Sequence, residues 1–354
     1  MLKKYIIENY KSFVDKSTFD IEALDEYDLL EENIFLNVLK GILFVGPNAS
    51  GKTNAISALI TLMNLVFTEN YEMSHNLNFF EPKDIFLSYE FLIEGSKKTN
   101  IVKYEITYNV DSESNVEILM INDGTIFEKE GKTIYLREFY ENKTYGTSTT
   151  LINFFKFLEN TVILDLYSNN QNKKFKGNYN PVTIFDDSKL QSINTFFEEH
   201  SFNMILIKRS ETALIDELFI KRKNSKIEIP YEMESIGTKK LIYMLPIVMG
   251  FCNEKKGMML LDEYGAGLHN ELEELMLKFF MSKSKGSQIF ACSHSTNLLK
   301  NSLFRPDQIY AIDINNEHNS CYEKFSDQSP RASQSLERMY LGGVFGGLPN
   351  FTGE

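Results

Sequence analysis

Hydrophobic positions divide the chain into distinct kinds of segment. Short unbroken apolar runs recur at Ile42-Leu43-Phe44-Val45, Met258-Met259-Leu260-Leu261, Ile289-Phe290-Ala291-Cys292 and Ile309-Tyr310-Ala311-Ile312. Runs this short, without polar alternation, predict strands buried on both faces. Tyr5-Ile6-Ile7 and Phe19-Asp20-Ile21 predict two earlier strands. From Asn54 to about Phe67 the apolar residues Ile56, Leu59, Ile60, Met63 and Val66 follow helical spacing. Further helices are predicted from Gly237 to about Gly250 and from Glu271 to Met281. Strands alternating with helices imply an α/β fold with a mostly parallel core sheet and helices on both faces.

The middle of the chain reads differently. From about Ile85 to Tyr140 apolar and polar residues alternate, as in Ile101-Val102-Lys103-Tyr104-Glu105-Ile106, and turn signals such as Asn122-Asp123-Gly124 intervene. This predicts an antiparallel β region. Leu151 to Leu158 and Leu190 to Phe197 read as helices, and the polar stretch from Ser168 to Asn180 as a loop. The expected organisation is one unit: a core lobe of about residues 1–70 and 229–354, with a β/α region of about 71–228 inserted. Neither a sustained heptad pattern nor an internal repeat is present, so no coiled-coil arm is expected.

The first apolar run feeds the stretch Gly46-Pro47-Asn48-Ala49-Ser50-Gly51-Lys52-Thr53, and Asn54 continues it into a helix. In that strand–loop–helix setting the pattern G-x-x-x-x-G-K-[ST] cradles phosphate through inward-facing backbone N–H groups. The helix adds its positive dipole end. Lys52 supplies a cation for the β- and γ-phosphates, and the Thr53 hydroxyl can ligate Mg²⁺. Residues Gly46 to Asn54 are therefore the candidate nucleoside-triphosphate cradle.

Three later features fit the same chemistry. The run Met258–Leu261 ends in Asp262-Glu263, where Asp262 can hold Mg²⁺ through its water shell and Glu263 can orient or deprotonate a water at the γ-phosphate. The next apolar run leads into Ser293-His294-Ser295. A histidine at the C-terminal end of a parallel strand can donate to a γ-phosphate oxygen. Glu234-Ser235-Ile236-Gly237 opens a helix, so Ser235 and Gly237 form either an ordinary N-cap or a second anion site. Two phosphate-binding helix starts exceed what one nucleotide needs, and the second is expected to serve a partner subunit's nucleotide.

Composition narrows the class. The 354 residues are 43% hydrophobic and 24% charged, with a net charge of −12. That acidity disfavours broad attraction to nucleic acid or an anionic membrane. Local basic clusters remain at Lys221, Arg222, Lys223 and Lys226, and at Lys173, Lys174 and Lys176. No apolar run approaches the ~18 residues of a membrane span. Cys252, Cys292 and Cys321 lack metal-ligand spacing, and the start Met1–Glu8 lacks a leader pattern, so reduced thiols and a cytoplasmic location are expected.

The order of these motifs resembles the ABC-type ATPase heads of SMC, Rad50 and OLD proteins. It is closer still to bacterial AAA-family ATP-binding proteins of abortive-infection and anti-phage systems. Ile7-Glu8-Asn9-Tyr10-Lys11-Ser12-Phe13 is similar to that family's first strand and turn. Asp262-Glu263-Tyr264-Gly265-Ala266-Gly267-Leu268-His269 is similar to its acidic strand and dimer-contact loop. Arg305-Pro306-Asp307-Gln308-Ile309-Tyr310 resembles its closing strand. Leu336–Gly343 with Phe345-Gly346-Gly347-Leu348-Pro349 resembles its C-terminal signature.

The resemblance implies an ATPase using ATP and Mg²⁺, assembled as a head-to-tail homodimer or a larger array of dimers. Each nucleotide would lie between one subunit's phosphate loop and the other's Ser235–Gly237 helix start. It further implies regulation of a separately encoded, nuclease-like effector, because the sixty residues after His294 are too few for a Toprim nuclease domain. Alternatives are an SMC- or Rad50-like DNA-maintenance ATPase, or a nucleotide-gated scaffold with negligible turnover. The first glutamine of the chain is Gln171, so the family's Mg²⁺-facing glutamine has no counterpart in the β region, implying hydrolysis that is either slow or differently assembled.

Overall fold

The computed structural model describes residues 1–78, 81–165, 173–174, 187–212, 215–253, 256–265 and 267–348. Most of the expected loop Ser168–Asn180 lies outside these residues, as do Gln171, Lys176, Ala266 and Pro349.

The predicted buried strands form one sheet. β5 (Gly41–Val45), β15 (Met258–Asp262), β16 (Gln288–Cys292) and β17 (Ile309–Ile314) run parallel, joined by β10 (Val162–Asp165), in the order β10-β15-β16-β5-β17. Antiparallel β11 (Lys173–Lys174) and β18 (Ser320–Lys324) close the two edges. The pleat divides the core in two. Ile42, Phe44, Met258, Leu260, Phe290, Tyr310 and Ile312 enter one cluster, while Leu43, Val45, Met259, Leu261, Ile289, Ala291, Ile309 and Ala311 enter the other. Period-two alternation between two buried faces is why these runs show no polar positions.

Helix α1 (Lys52–Phe67) fills the first face and is overlaid by a six-stranded antiparallel sheet. That sheet has the order β2-β1-β6-β7-β8-β9, from Ser17–Asp20, Leu2–Glu8, Ile85–Glu94, Thr99–Asn109, Ser114–Ile121 and Gly124–Gly131. Helix α3 (Thr149–Glu159) packs on it through Phe154 and Phe157, which meet Phe91 edge-on. The second face is covered by α5 (Ile236–Asn253) and α6 (Asn270–Lys283), with α4 (Asp187–Glu199) and a short C-terminal α7 (Leu336–Leu341) contributing to the same core. No helix among the described residues is long and apolar enough to cross a membrane.

The structure departs from the sequence expectation in three places. The expected β region ends early, because Tyr135–Glu141 forms helix α2. The buried Glu117 carboxylate accepts from the backbone N–H groups of Tyr135 (2.6 Å) and Leu136 (2.9 Å), satisfying donors that a helix start leaves open. Second, β12 (Ile205–Thr212), β13 (Ile215–Lys221) and β14 (Glu228–Pro230) form a three-stranded sheet in a stretch with no clear periodicity. Third, strands cross the expected boundary: β1 and β2 join the antiparallel sheet, and β10 joins the parallel one.

The closing-strand pattern has a structural role. All five Arg305 donors are used: Nε and Nη2 meet the two Asp307 carboxylate oxygens at 2.9 Å, and the rest reach the carbonyls of Tyr27, Leu29 and Leu24. Gln308 donates to Gly41 O at 2.8 Å and accepts from Asn33 at 2.7 Å. Arg305 and its partners thus pin the segment before the hairpin of β3 (Ile34–Phe35) and β4 (Val38–Leu39) to the start of β17. This fixes the strand that carries the phosphate loop.

Candidate functional site

Parallel strands in register deliver their following loops to one edge. Leu261 pairs with Ala291 and Cys292 with Phe44, so the loops after β15, β16 and β5 emerge side by side. Around them is a cavity of about 330 Å³ lined by Asn48, Ala49, Ser50, Gly51, Lys52, Thr53, Asn54, Asp262, Glu263, Cys292 and His294. The sequence assigned nine of these residues to the phosphate loop or the acids and one to the histidine. Cys292 was not singled out as a site residue, since an apolar strand-end cysteine carries no distinguishing signal.

The loop is shaped by its glycines and by two serines far off in sequence. Gly46 and Gly51 have φ of 150° and 106°, and a Cβ at Gly46 would run into the Ile312 carbonyl oxygen. One at Gly51 would meet the Ser320 hydroxyl. That hydroxyl donates to Ser50 O (2.6 Å) and accepts from the Ser12 hydroxyl (2.7 Å), while Asn54 donates to Ser12 Oγ at 2.7 Å. Ser12 and Ser320 therefore brace the cradle from behind. Spacing alone could not reveal these partners, although Ser12 lies within the first-strand pattern.

Lys52 is buried, and its ammonium donates to the carbonyls of Gly46 (2.9 Å) and Pro47 (2.6 Å). Burial lowers its pKa, against the opposing pull of Cys292, Asp262 and Glu263. The Thr53 hydroxyl donates to Asp262 Oδ1 at 3.1 Å. A hydroxyl and a carboxylate at this spacing suit Mg²⁺, which binds few protein oxygens and keeps waters or phosphate oxygens elsewhere. Among the described residues no group of three or more His, Cys, Asp or Glu side chains is placed to hold a metal ion.

Glu263 is exposed at the cavity with φ of 52°, and its backbone N–H donates to Asp262 Oδ1 at 3.2 Å. A left-handed glutamate is costly and concentrates at functional turns. His294 stands across the same cavity. Its pKa is lowered, first by burial and then by the Lys52 charge, against smaller upward effects from Glu263, the Gly46 backbone and Asp262. A neutral imidazole beside a lysine can donate to a phosphate oxygen.

Ser235 and Gly237 do not join this cavity within one chain. Ser235 is exposed ahead of α5, where its Oγ accepts from Thr238 N at 3.2 Å as an N-cap does. Gly237 packs on the loop that follows Glu263, since a Cβ there would lie 2.9 Å from Gly267 O. The basic cluster nearby is partly neutralised, with Arg222 paired to Glu234 at 2.6 Å.

The SMC head domain from Thermotoga maritima superposes with a TM-score of 0.51 at 15% identity, covering 91% of this chain and 97% of that one. An SMC head bound to the C-terminal winged-helix domain of ScpA gives 0.55 at 13% identity, covering 93% and 99%. The fold is that of an SMC head. An SMC head with an extended coiled coil, bound to the C-terminal domain of ScpA derived from Pyrococcus furiosus, gives 0.51 at 12% identity, covering 93% and 97%. Residues 161–300 match the family described as "AAA domain, putative AbiEii toxin, Type IV TA system". That segment spans the strands bearing Asp262 and His294 of the SMC-head fold. No curated protein matches the chain in sequence.

Proposed function

We propose that this chain binds and hydrolyses ATP with Mg²⁺ and couples that cycle to the control of a separately encoded effector in an abortive-infection or toxin–antitoxin system. The observation that carries the ATPase reading is the convergence of Lys52, Thr53, Asp262, Glu263 and His294 on one cavity at the C-terminal edge of the parallel sheet. The match of residues 161–300 to a family described with a toxin and Type IV TA system supports the biological setting.

In this reading the phosphate-loop N–H groups and Lys52 hold the triphosphate. Thr53 and Asp262 hold Mg²⁺, which offsets phosphate charge when bound. Glu263 orients and deprotonates the attacking water, and the His294 imidazole donates to the γ-phosphate. Ser235 and Gly237, remote from this cavity, complete the corresponding site of a second subunit in a head-to-tail homodimer. ATP then favours the closed pair and hydrolysis releases it, which is the motion available for gating a nuclease-like effector. SMC heads of this fold have been solved with ScpA domains bound, which supports a head that docks other proteins.

The Glu263→Gln variant tests this reading. It keeps size and hydrogen bonding while removing the base, so ATP binding should persist and turnover should fall by about 10²–10⁴-fold. Wild-type turnover in the variant would remove Glu263 from the chemistry. A wild-type chain that binds no ATP would overturn the reading as a whole.

A further inference from the structure

A second cavity of about 270 Å³ lies at the opposite end of the parallel sheet from the phosphate loop. Lys256 and Gly286, which line it, precede β15 and β16, whereas the nucleotide cavity follows their C-terminal ends. Phe35, Leu36, Leu92 and Phe157 give it apolar surface from the β3–β4 hairpin, the end of β6 and helix α3.

Two independent observations mark this groove. The first is Leu36. The hairpin closes through Leu36-Asn37, both left-handed at φ of 52° and 61°, in the two-residue form that favours Asn-Gly. A leucine there is conformationally strained, and Leu36 is also 54% exposed. Its neighbour Phe35 packs on the core, but Leu36 is not among the described residues that do. The second observation is charge. The one lining acid, Glu94, is already paired to Lys256 at 2.8 Å. Lys156 also lines the groove and has no ion-pair partner among the described residues. Lys98 and Lys285 immediately precede the lining residues Thr99 and Gly286, and both are exposed. A lysine-rich rim on a chain of net charge −12 is a local reversal of sign.

We propose that this groove docks a short acidic segment of a partner protein through one apolar anchor side chain. The volume falls just below the ~300–1,000 Å³ of sites that enclose a drug-sized ligand, and suits a single side chain. The lysines complement acidic residues flanking that anchor. Apolar lining offers nothing to a phosphate backbone, so nucleic acid is disfavoured. Docking here needs no nucleotide, so the surface stands whether or not the ATPase reading does.

The test uses fluorescein-labelled dodecapeptides rich in glutamate, each with one central Leu, Ile, Phe or Met, titrated against the full chain by anisotropy. The variants are Leu36→Asn, whose asparagine suits the left-handed turn, and Lys156→Glu, on an exposed helix face. At least one anchored peptide should bind, and replacing its anchor by alanine should weaken it about tenfold. Each variant should weaken it about tenfold as well, with thermal unfolding no lower than in the unaltered chain. The proposal fails if no peptide in the panel binds, or if binding ignores both variants. It also fails if duplex DNA displaces the peptide, or if Leu36→Asn instead dissociates a homodimer.

Discussion

Thr53 and Asp262 stand 209 positions apart in sequence, yet the Thr53 hydroxyl donates to the Asp262 carboxylate at 3.1 Å. The contact ties the start of α1 to the end of β15, and it exists because β16 alone separates β15 from β5 in the sheet. In the proposed reading these two oxygens hold Mg²⁺. Asp262→Ala should weaken nucleotide binding in Mg²⁺ by about 10–100-fold while leaving binding in EDTA unchanged. An undiminished Mg²⁺ effect in the variant would contradict the assignment.

His294 should remain neutral at pH 7, because burial and Lys52 depress its pKa below the ordinary 6.5. The sign for stability follows. Between the unfolded value and the lower folded value, the unfolded chain binds a proton that the folded chain refuses. Acidification through that window therefore lowers stability, and above pH 6.5 this residue contributes no pH dependence. A histidine NMR titration should give a midpoint under 6.5 for His294, and a midpoint at or above 6.5 would refute the depressed value. The His294→Gln variant should lose this part of the acid sensitivity.

Arg305 is 1% exposed, and its partner Asp307 is fully buried. Arg305→Met should leave the Asp307 charge unpaired and the Tyr27 and Leu29 carbonyls without their donor. Breaking a buried pair this way costs about 3–5 kcal/mol, readable as a lowered urea midpoint. A loss below about 1 kcal/mol would show that the network is dispensable.

What the sequence revealed about this molecule depends on range. The phosphate loop, Asp262-Glu263 and His294 were legible because each lies at the end of an apolar run, and a doubly buried strand declares itself locally. β10 was not legible. Its four residues, Val162–Asp165, form too short a run to declare a strand and are parted from helix α3 by Asn160 and Thr161 alone, so only pairing with β15 makes them a strand. Helix α2 was misread as strand because the buried Glu117 that caps it lies 18 residues upstream of Tyr135. The bracing of the phosphate loop by Ser12 and Ser320 was hidden for the same reason, since a serine has no periodic signature. Ser235 and Gly237 are the opposite case: the sequence marks them as a helix start, either an N-cap or an anion site, but one chain does not bring them to the phosphate loop.

On the proposed reading, that separation requires two subunits to complete one site. The most direct measurement is the ATP hydrolysis rate per subunit as a function of protein concentration, with assembly followed on the same samples by mass photometry. The rate per subunit should climb as dimers form and level off once dimerisation is complete. A rate per subunit that stays constant across the monomer–dimer transition would contradict the two-subunit site, and would place a complete catalytic site in the single chain.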